Sequence, residues 1–250
     1  MSSNGKQHKV ALITGGSRGI GKAITLELAK SGIHVLINYY GDDKEAADVK
    51  RQAESYGIRA EAVHADVSDP SQVKEMFQTL DEQFGRLDIL VNNAGIAQAV
   101  KITEMNDEHW DRMIKIHLYG AFYTSREAAS RMLAQKAGKI INVTSDLASQ
   151  GGAELSHYAA AKGGVTALTK SLARELAPYV LVNAVAPGGT FSDVRSSLEE
   201  GEHKSDSRHL LGRLAFPQEI ARSVMFLASD DANIYTGQVL GANGGSSMNG

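Results

Sequence analysis

The chain contains no cysteine, which excludes disulfides, thiolate metal sites and a cysteine nucleophile, and suits a reducing compartment. Only four prolines occur in 250 residues, and no stretch is rich in Pro, Ser or Gln as a linker would be. No apolar run approaches the ~18 residues of a membrane span. The opening "MSSNGKQHK" lacks the apolar centre of a signal peptide. A basic excess is also missing. Lys and Arg number 26 against 29 Asp and Glu, a net charge of −3, which argues against a dedicated nucleic-acid binder. These absences predict a cytoplasmic protein without membrane or nucleic-acid partners. What is present, 42% hydrophobic and 22% charged residues, is ordinary for a globular protein. A chain of this length buries roughly three quarters of its unfolded surface. It reads as a single domain over residues 1–250.

Short apolar runs alternate with helix-length amphipathic segments. Strands are expected at Val10–Thr14, His34–Asn38, Ala60–Ala65, Leu87–Asn92, Lys139–Ser145, Val180–Ala186 and Gly237–Ala242. Their apolar runs are continuous rather than alternating, as in strands covered on both faces. Helices are expected at Ile20–Ser31, Lys44–Ser55, from Asp69 and Pro70 to Gly85, from about Asn106 to Gln135, at Tyr158–Ala177 and at Pro217–Ala228. The N-cap, first-position proline and terminal glycine signals mark several of these ends. Repeated strand–helix alternation predicts an α/β fold with a parallel sheet. One segment breaks the rhythm. Thr190 to Arg213 is polar, charged and weakly periodic. It is either a solvated insertion or a substrate lid. His203 and His209 within it have no paired ligand spacing, so no metal site is expected.

"LITGGSRGIGKAI" follows the first strand and opens the first helix. Glycines there let the backbone approach a ligand, and a helix N-terminus attracts phosphate. The stretch from Gly16 to Lys22 nearly matches a P-loop, but Ala23 stands where the Mg²⁺-holding hydroxyl belongs. The alternative takes Gly15, Gly19 and Gly21 as the set. Gly15 makes the turn, and the later two admit a pyrophosphate and close helix packing. A purely structural tight turn is the third reading.

"SHYAAAKGG" places Tyr158 four residues before Lys162 across three alanines. On a helix the two side chains share a face. Alone, the pair is an ordinary helix contact. Together with T14-G-G-S-R-G-I-G21, N92-N-A-G95, Ser145 thirteen residues before Tyr158, "PG" after a strand and "YTGQVLGANGG" near the C-terminus, it resembles the short-chain dehydrogenase/reductase family. The resemblance runs from about Lys9 to Gly245, and the overall pattern is similar to the 3-oxoacyl-carrier-protein reductase and glucose dehydrogenase branches.

The resemblance implies a Rossmann-type doubly wound parallel sheet of about seven strands with helices on both faces. It implies hydride exchange between a nicotinamide cofactor and a carbonyl or alcohol carbon of a small-molecule substrate, and a homotetramer. Tyr158 would exchange the proton, Lys162 would lower the phenol pKa and grip the ribose, and Ser145 would hold the substrate oxygen. A drop of ~3 units in that pKa equals ~4 kcal/mol of differential interaction. Cofactor contacts would come from Gly15, Ser17, Arg18, Gly19, Ile20 and Gly21. Asp66 and Val67 would meet the adenine, and Asn93, Ala94 and Gly95 would line the middle. Pro187, Gly188 and Thr190, with Tyr158 and Lys162, would surround the nicotinamide end.

The second strand ends in Tyr39 and Tyr40, not in the acidic residue that NAD-preferring sites use. Arg18 is placed to meet a 2′-phosphate. NADP(H) is therefore the preferred cofactor, with NAD(H) as the alternative. One departure stands out. The family usually has Asn where this chain has His117. The histidine either keeps the family's proton relay through its backbone or offers an imidazole that titrates near neutral pH. A weak or inactive dinucleotide-binding regulator is the rival reading. Gln98, Asp146 and Gln150 are candidate substrate contacts, and Asp146 is also a candidate turn cap.

Overall fold

A computed structural model describes residues 8–191 and 209–248. The central sheet has seven parallel strands in the order β3-β2-β1-β4-β5-β6-β7. In chain order these are β1 (Val10–Ile13), β2 (His34–Tyr39), β3 (Ala60–His64), β4 (Ile89–Asn92), β5 (Gly138–Val143), β6 (Val180–Pro187) and β7 (Val239–Ala242). The helices are α1 (Gly19–Lys30), α2 (Asp43–Glu54), α3 (Pro70–Phe84), α4 (Asp107–Ile114), α5 (Gly120–Gln135), α6 (Leu147–Gln150), α7 (Ser156–Leu176) and α8 (Pro217–Ala228).

The continuous apolar strands have the predicted cause. Successive residues feed opposite faces. Ala11, Ile13, Val35, Ile37, Ile89 and Val91 join a core with Ile24 and Leu28 of α1 and Ile220 and Val224 of α8. Leu12, Leu36, Leu90 and Ile140 point the other way, onto Phe77 and Leu80 of α3, Met132 of α5 and Leu176 of α7. Both faces are thus covered.

Helix ends follow local chemistry. Asp69 accepts from Ser71 N at 2.8 Å with Pro70 at the first position, and α3 stops at Gly85 with φ 69°. Asn106 and His109 cap α4 reciprocally.

The single helix expected from Asn106 to Gln135 is interrupted. Lys115–Tyr119 forms a π-helical turn between α4 and α5. Sequence periodicity cannot register one widened turn, which leaves the apolar stripe nearly unchanged. His117 lies in it. Most of the expected lid, residues 192–208 with His203, falls outside the described residues. The chain order reverses between β1 and β4, where β1 pairs with β2 on one side and β4 on the other. In such sheets ligands bind beyond the strand C-termini at this crevice.

Candidate active site

The glycine turn is held by short polar side chains. The Thr14 hydroxyl accepts from Asn93 N at 2.9 Å and Ala94 N at 3.0 Å, and donates to Val91 O at 3.4 Å. Asn93 Nδ2 donates to Thr14 O at 3.0 Å and Gly15 O at 3.1 Å. Asn38, buried at the end of β2, accepts from Gly15 N at 3.3 Å and donates to Ala65 O at 3.0 Å. Gly15 sits at φ 61° and Gly19 at φ 52°, the left-handed region that favours glycine. Gly21 is required for a different reason. A Cβ there would collide with the Gly15 carbonyl and the Asn93 amide. The Arg18 side chain does not cap α1, and the positive end of the helix lies at the crevice, where Arg18, Ile20 and Gly21 line the wall.

One cavity of about 860 Å³ runs from this turn to the end of β5. Gly15, Ser17, Arg18, Ile20 and Gly21 line one end. Asp66, Val67, Asn93, Ala94 and Gly95 line its middle. Ser145, Tyr158, Lys162 and His117 line the other end, with Pro187, Gly188 and Thr190 opposite. Two expected cofactor contacts fall outside the lining. Gly19 shapes the turn without forming the wall. Tyr39 turns away, its hydroxyl donating to Asp43 Oδ1 at 2.8 Å, while exposed Tyr40 takes the wall position. Arg112 and Lys115 of the α4 region also line the cavity. In sequence they were indistinguishable from a solvated helix face. Asn38 lines it as well, and its one signal was a polar residue inside an apolar strand. Gln98, Asp146 and Gln150 do not line the cavity. Among the described residues no helix is long and apolar enough to cross a membrane, and no cluster of ligands could hold a metal.

At the far end the chemistry is set by burial. Lys162 is 5% exposed, donates to Val143 O at 2.7 Å and stands 5.8 Å from the Tyr158 ring centroid. Burial pulls its ammonium down to about 8. Tyr158 is pushed above its ordinary value, first by burial. The nearby Ser145 hydroxyl opposes that rise, and the Asp146 carboxylate adds to it. The expectation that Lys162 depresses the phenol is therefore not met by the protein's own groups. Desolvation penalises both the phenolate and the ammonium that would stabilise it.

His117 packs edge-on to Tyr158, with ring centroids 5.3 Å apart. Its Nε2 lies 2.8 Å from Ile96 O and 3.1 Å from Ile96 N. One nitrogen serves one of these at a time, according to tautomer. Nδ1 is buried with no hydrogen-bond partner among the described residues. Burial, with the Lys162 charge second, pushes the imidazole down to about 3. The expected near-neutral titration is thus corrected: this ring stays neutral. It also explains Gly95, where a Cβ would strike the His117 ring.

Residues 15–247 match the family described as enoyl-(acyl carrier protein) reductase. The chain is 42% identical over 245 residues to a 3-oxoacyl-(acyl-carrier-protein) reductase of Staphylococcus aureus, covering 97% of this chain and all of the relative. It is 39% identical to the corresponding reductase of Thermotoga maritima, over 95% of this chain and 97% of the relative. Among solved structures, acetoin dehydrogenase from Enterobacter cloacae superposes with a TM-score of 0.91 at 37% identity, covering 97% of this chain and 96% of the other. A Serratia marcescens short-chain dehydrogenase/reductase superposes with a TM-score of 0.90 at 33% identity, covering 97% and 99%. Fold, site and similarity agree: the chain belongs to the short-chain dehydrogenase/reductase family, oxidoreductases that interconvert a carbonyl and an alcohol.

Proposed function

We propose that the protein is an NADP(H)-preferring ketone reductase in which Tyr158 supplies the proton, Ser145 holds the substrate oxygen and Lys162 supports both. The observation that carries this reading is the convergence of Ser145, Tyr158 and Lys162 on the same cavity as the glycine turn. That cavity fits a nicotinamide dinucleotide. Its volume lies in the range of cofactor sites, and the glycine-lined start of α1 on its wall suits a pyrophosphate. When bound, the cofactor supplies the hydride.

The chain's own residues do the rest. Gly15 and Gly21 keep the backbone low enough for the phosphates to approach. Asp66 is braced by Ser68, whose N–H and hydroxyl reach its Oδ1 at 2.8 and 2.7 Å, and forms the wall for the adenine. Tyr158 is half-buried on the cavity wall beside buried Ser145 and Lys162, so a carbonyl oxygen held at Ser145 meets the phenol directly. NADP(H) preference is supported by Arg18 on the cavity wall and by the absence of an acid at the end of β2.

The named relatives suggest the substrate class. A 3-oxoacyl thioester and acetoin both carry a second oxygen function close to the reacting carbon, and we extend that class to this chain. The test is a steady-state panel of 3-oxoacyl thioesters, small hydroxyketones, simple ketones and sugars with NADPH and NADH. Turnover of the first two groups, at least tenfold better with NADPH, is expected. Equal use of both cofactors would remove the preference, and NADPH binding without turnover of any compound would favour the regulator. A homotetramer and a cytoplasmic location belong to the same proposal, and sedimentation and cell fractionation test them.

A further inference from the structure

In sequence His209 is one more residue of the polar segment after β6. The structure buries it, at 4% exposed, and fixes its ring from two sides. Nε2 accepts from Gly189 N at 3.0 Å. Nδ1 lies against Gly244, where an added Cβ would stand 3.0 Å from it. Gly244 has φ 60°, so glycine is favoured there on two counts. An Nε2 that accepts places the ring proton on Nδ1.

Gly189 belongs to the loop of residues 187–191. Pro187, Gly188, Thr190 and Phe191 of that loop line the cavity, at the end shared with Ser145 and Tyr158. Its two adjacent glycines carry no side chains to pack, so hydrogen bonds set its path. Four of these are main-chain bonds. Asp146 N donates to Pro187 O at 3.0 Å, and Gly188 N donates to Ala242 O at 3.3 Å. Ala215 N donates to Gly189 O and Ala215 O accepts from Phe191 N, both at 2.9 Å. At the Gly189 N–H a side chain takes over, and that side chain is His209. The partner surface behind the ring is itself braced. Leu211 N donates to Gly244 O at 3.2 Å. Asn243 Oδ1 accepts from Gly245 N at 3.0 Å, and Asn243 Nδ2 donates to Ser247 O at 2.8 Å. Ser246 Oγ donates to Asp146 Oδ2 at 2.6 Å. Asp146, expected as a substrate contact or a turn cap, thus anchors the turn after β7.

We infer that His209 is a positioning residue for the nicotinamide end of the cofactor: its imidazole accepts from Gly189, holds the 187–191 loop against the turn after β7, and so sets the grip on the nicotinamide half alone. The inference rests on the reading of the cavity as an NADP(H) site. His209 does not line the cavity and touches no ligand; it acts through Gly189 and the wall residues on either side. The adenine half lies at the opposite end, against Arg18 and Asp66, and does not depend on this bond. Without the imidazole, the Gly189 N–H loses its acceptor, and the loop must be ordered again each time a cofactor binds.

The experiment is calorimetric titration of cofactor-free protein with NADPH and with 2′-phospho-ADP-ribose, which lacks only the nicotinamide ring. His209→Leu fills the space and removes the acceptor. Its Kd for NADPH rises by about tenfold, while its Kd for 2′-phospho-ADP-ribose is unchanged. His209→Gln carries an oxygen near the position of Nε2 and restores NADPH binding. His209→Asn carries its oxygen near the position of Nδ1, short of Gly189, and behaves like His209→Leu. A merely structural role lowers Tm and weakens both ligands alike. Equal weakening of the two ligands, or an unchanged NADPH Kd in His209→Leu, overturns the inference. If His209→Leu does not fold, the Gln and Asn variants decide, and equal NADPH affinity in those two overturns it. Wild-type protein that binds neither ligand brings down the NADP(H) reading itself. Wild-type protein that binds both, beside an unaltered His209→Leu, removes only the role of His209.

Discussion

The two ends of the cavity are built from different material. At the glycine turn the shape is made by main chain, positive-φ glycines and the amide and hydroxyl groups of Asn93, Asn38 and Thr14. Arg18 is the turn's single titratable wall residue. At the other end, half-buried Tyr158 and buried Lys162 and His117 are titratable groups whose protonation is set first by the loss of water around them, with the Lys162 charge acting also on His117. The first end holds a ligand by geometry and the second acts on it by charge. A substitution at the first should therefore alter binding, and one at the second should alter rate and pH dependence.

The largest effect expected is on chemistry. Tyr158→Phe removes the proton donor and leaves the turn untouched, so turnover falls by roughly 10²- to 10⁴-fold while NADPH fluorescence enhancement reports unchanged binding. Next is Gly21→Ala. The new Cβ must displace the Gly15 carbonyl and the Asn93 amide, a strain of about 1–3 kcal/mol, read as a rise in NADPH Kd with kcat at saturation largely kept. A Gly21→Ala protein with normal Kd would break the comparison. Arg18→Ala is expected to lower the NADPH-over-NADH ratio of kcat/KM by about tenfold, the worth of one charge-assisted contact.

The smallest effect on rate, and a clear one on stability, belongs to His117→Asn. The imidazole is held at about 3 against an ordinary 6.5. As pH falls through 6.5 the unfolded chain takes up a proton that the fold refuses. The wild type therefore loses stability relative to His117→Asn from pH 6.5 down to about 3, by up to ~1.4 kcal/mol per pH unit. Urea titrations at several pH values read this difference. Near-neutral pH–rate profiles should coincide.

Most of the fold was legible because its signals are local. Seven continuous apolar runs became seven parallel strands, and Asp69, Pro70 and Gly85 ended α3 where expected. The glycine turn was legible because its glycines fall between a strand and the helix it feeds, although the Asn93 amide that crowds Gly15 and Gly21 comes from the end of β4. The π-helical turn at Lys115–Tyr119 was not, because widening one turn hardly changes the apolar stripe. Protonation was not legible either. The phenol of Tyr158 depends on how deeply α7 packs beside Val143 and Ser145, and the state of His117 depends on the Gly95–Ile96 segment closing over it. The proximity of Ser246 to Asp146, 100 residues apart, required the whole sheet to be in place.

The central claim is that the protein's own groups keep the Tyr158 phenol protonated, so that the site stands ready as an acid. The most direct test is the titration of ¹³Cζ-labelled tyrosine by NMR in protein without added cofactor, with Tyr158→Phe assigning the resonance. The account predicts a Tyr158 midpoint above the ordinary 10.0. A phenolate already formed near neutral pH would contradict it.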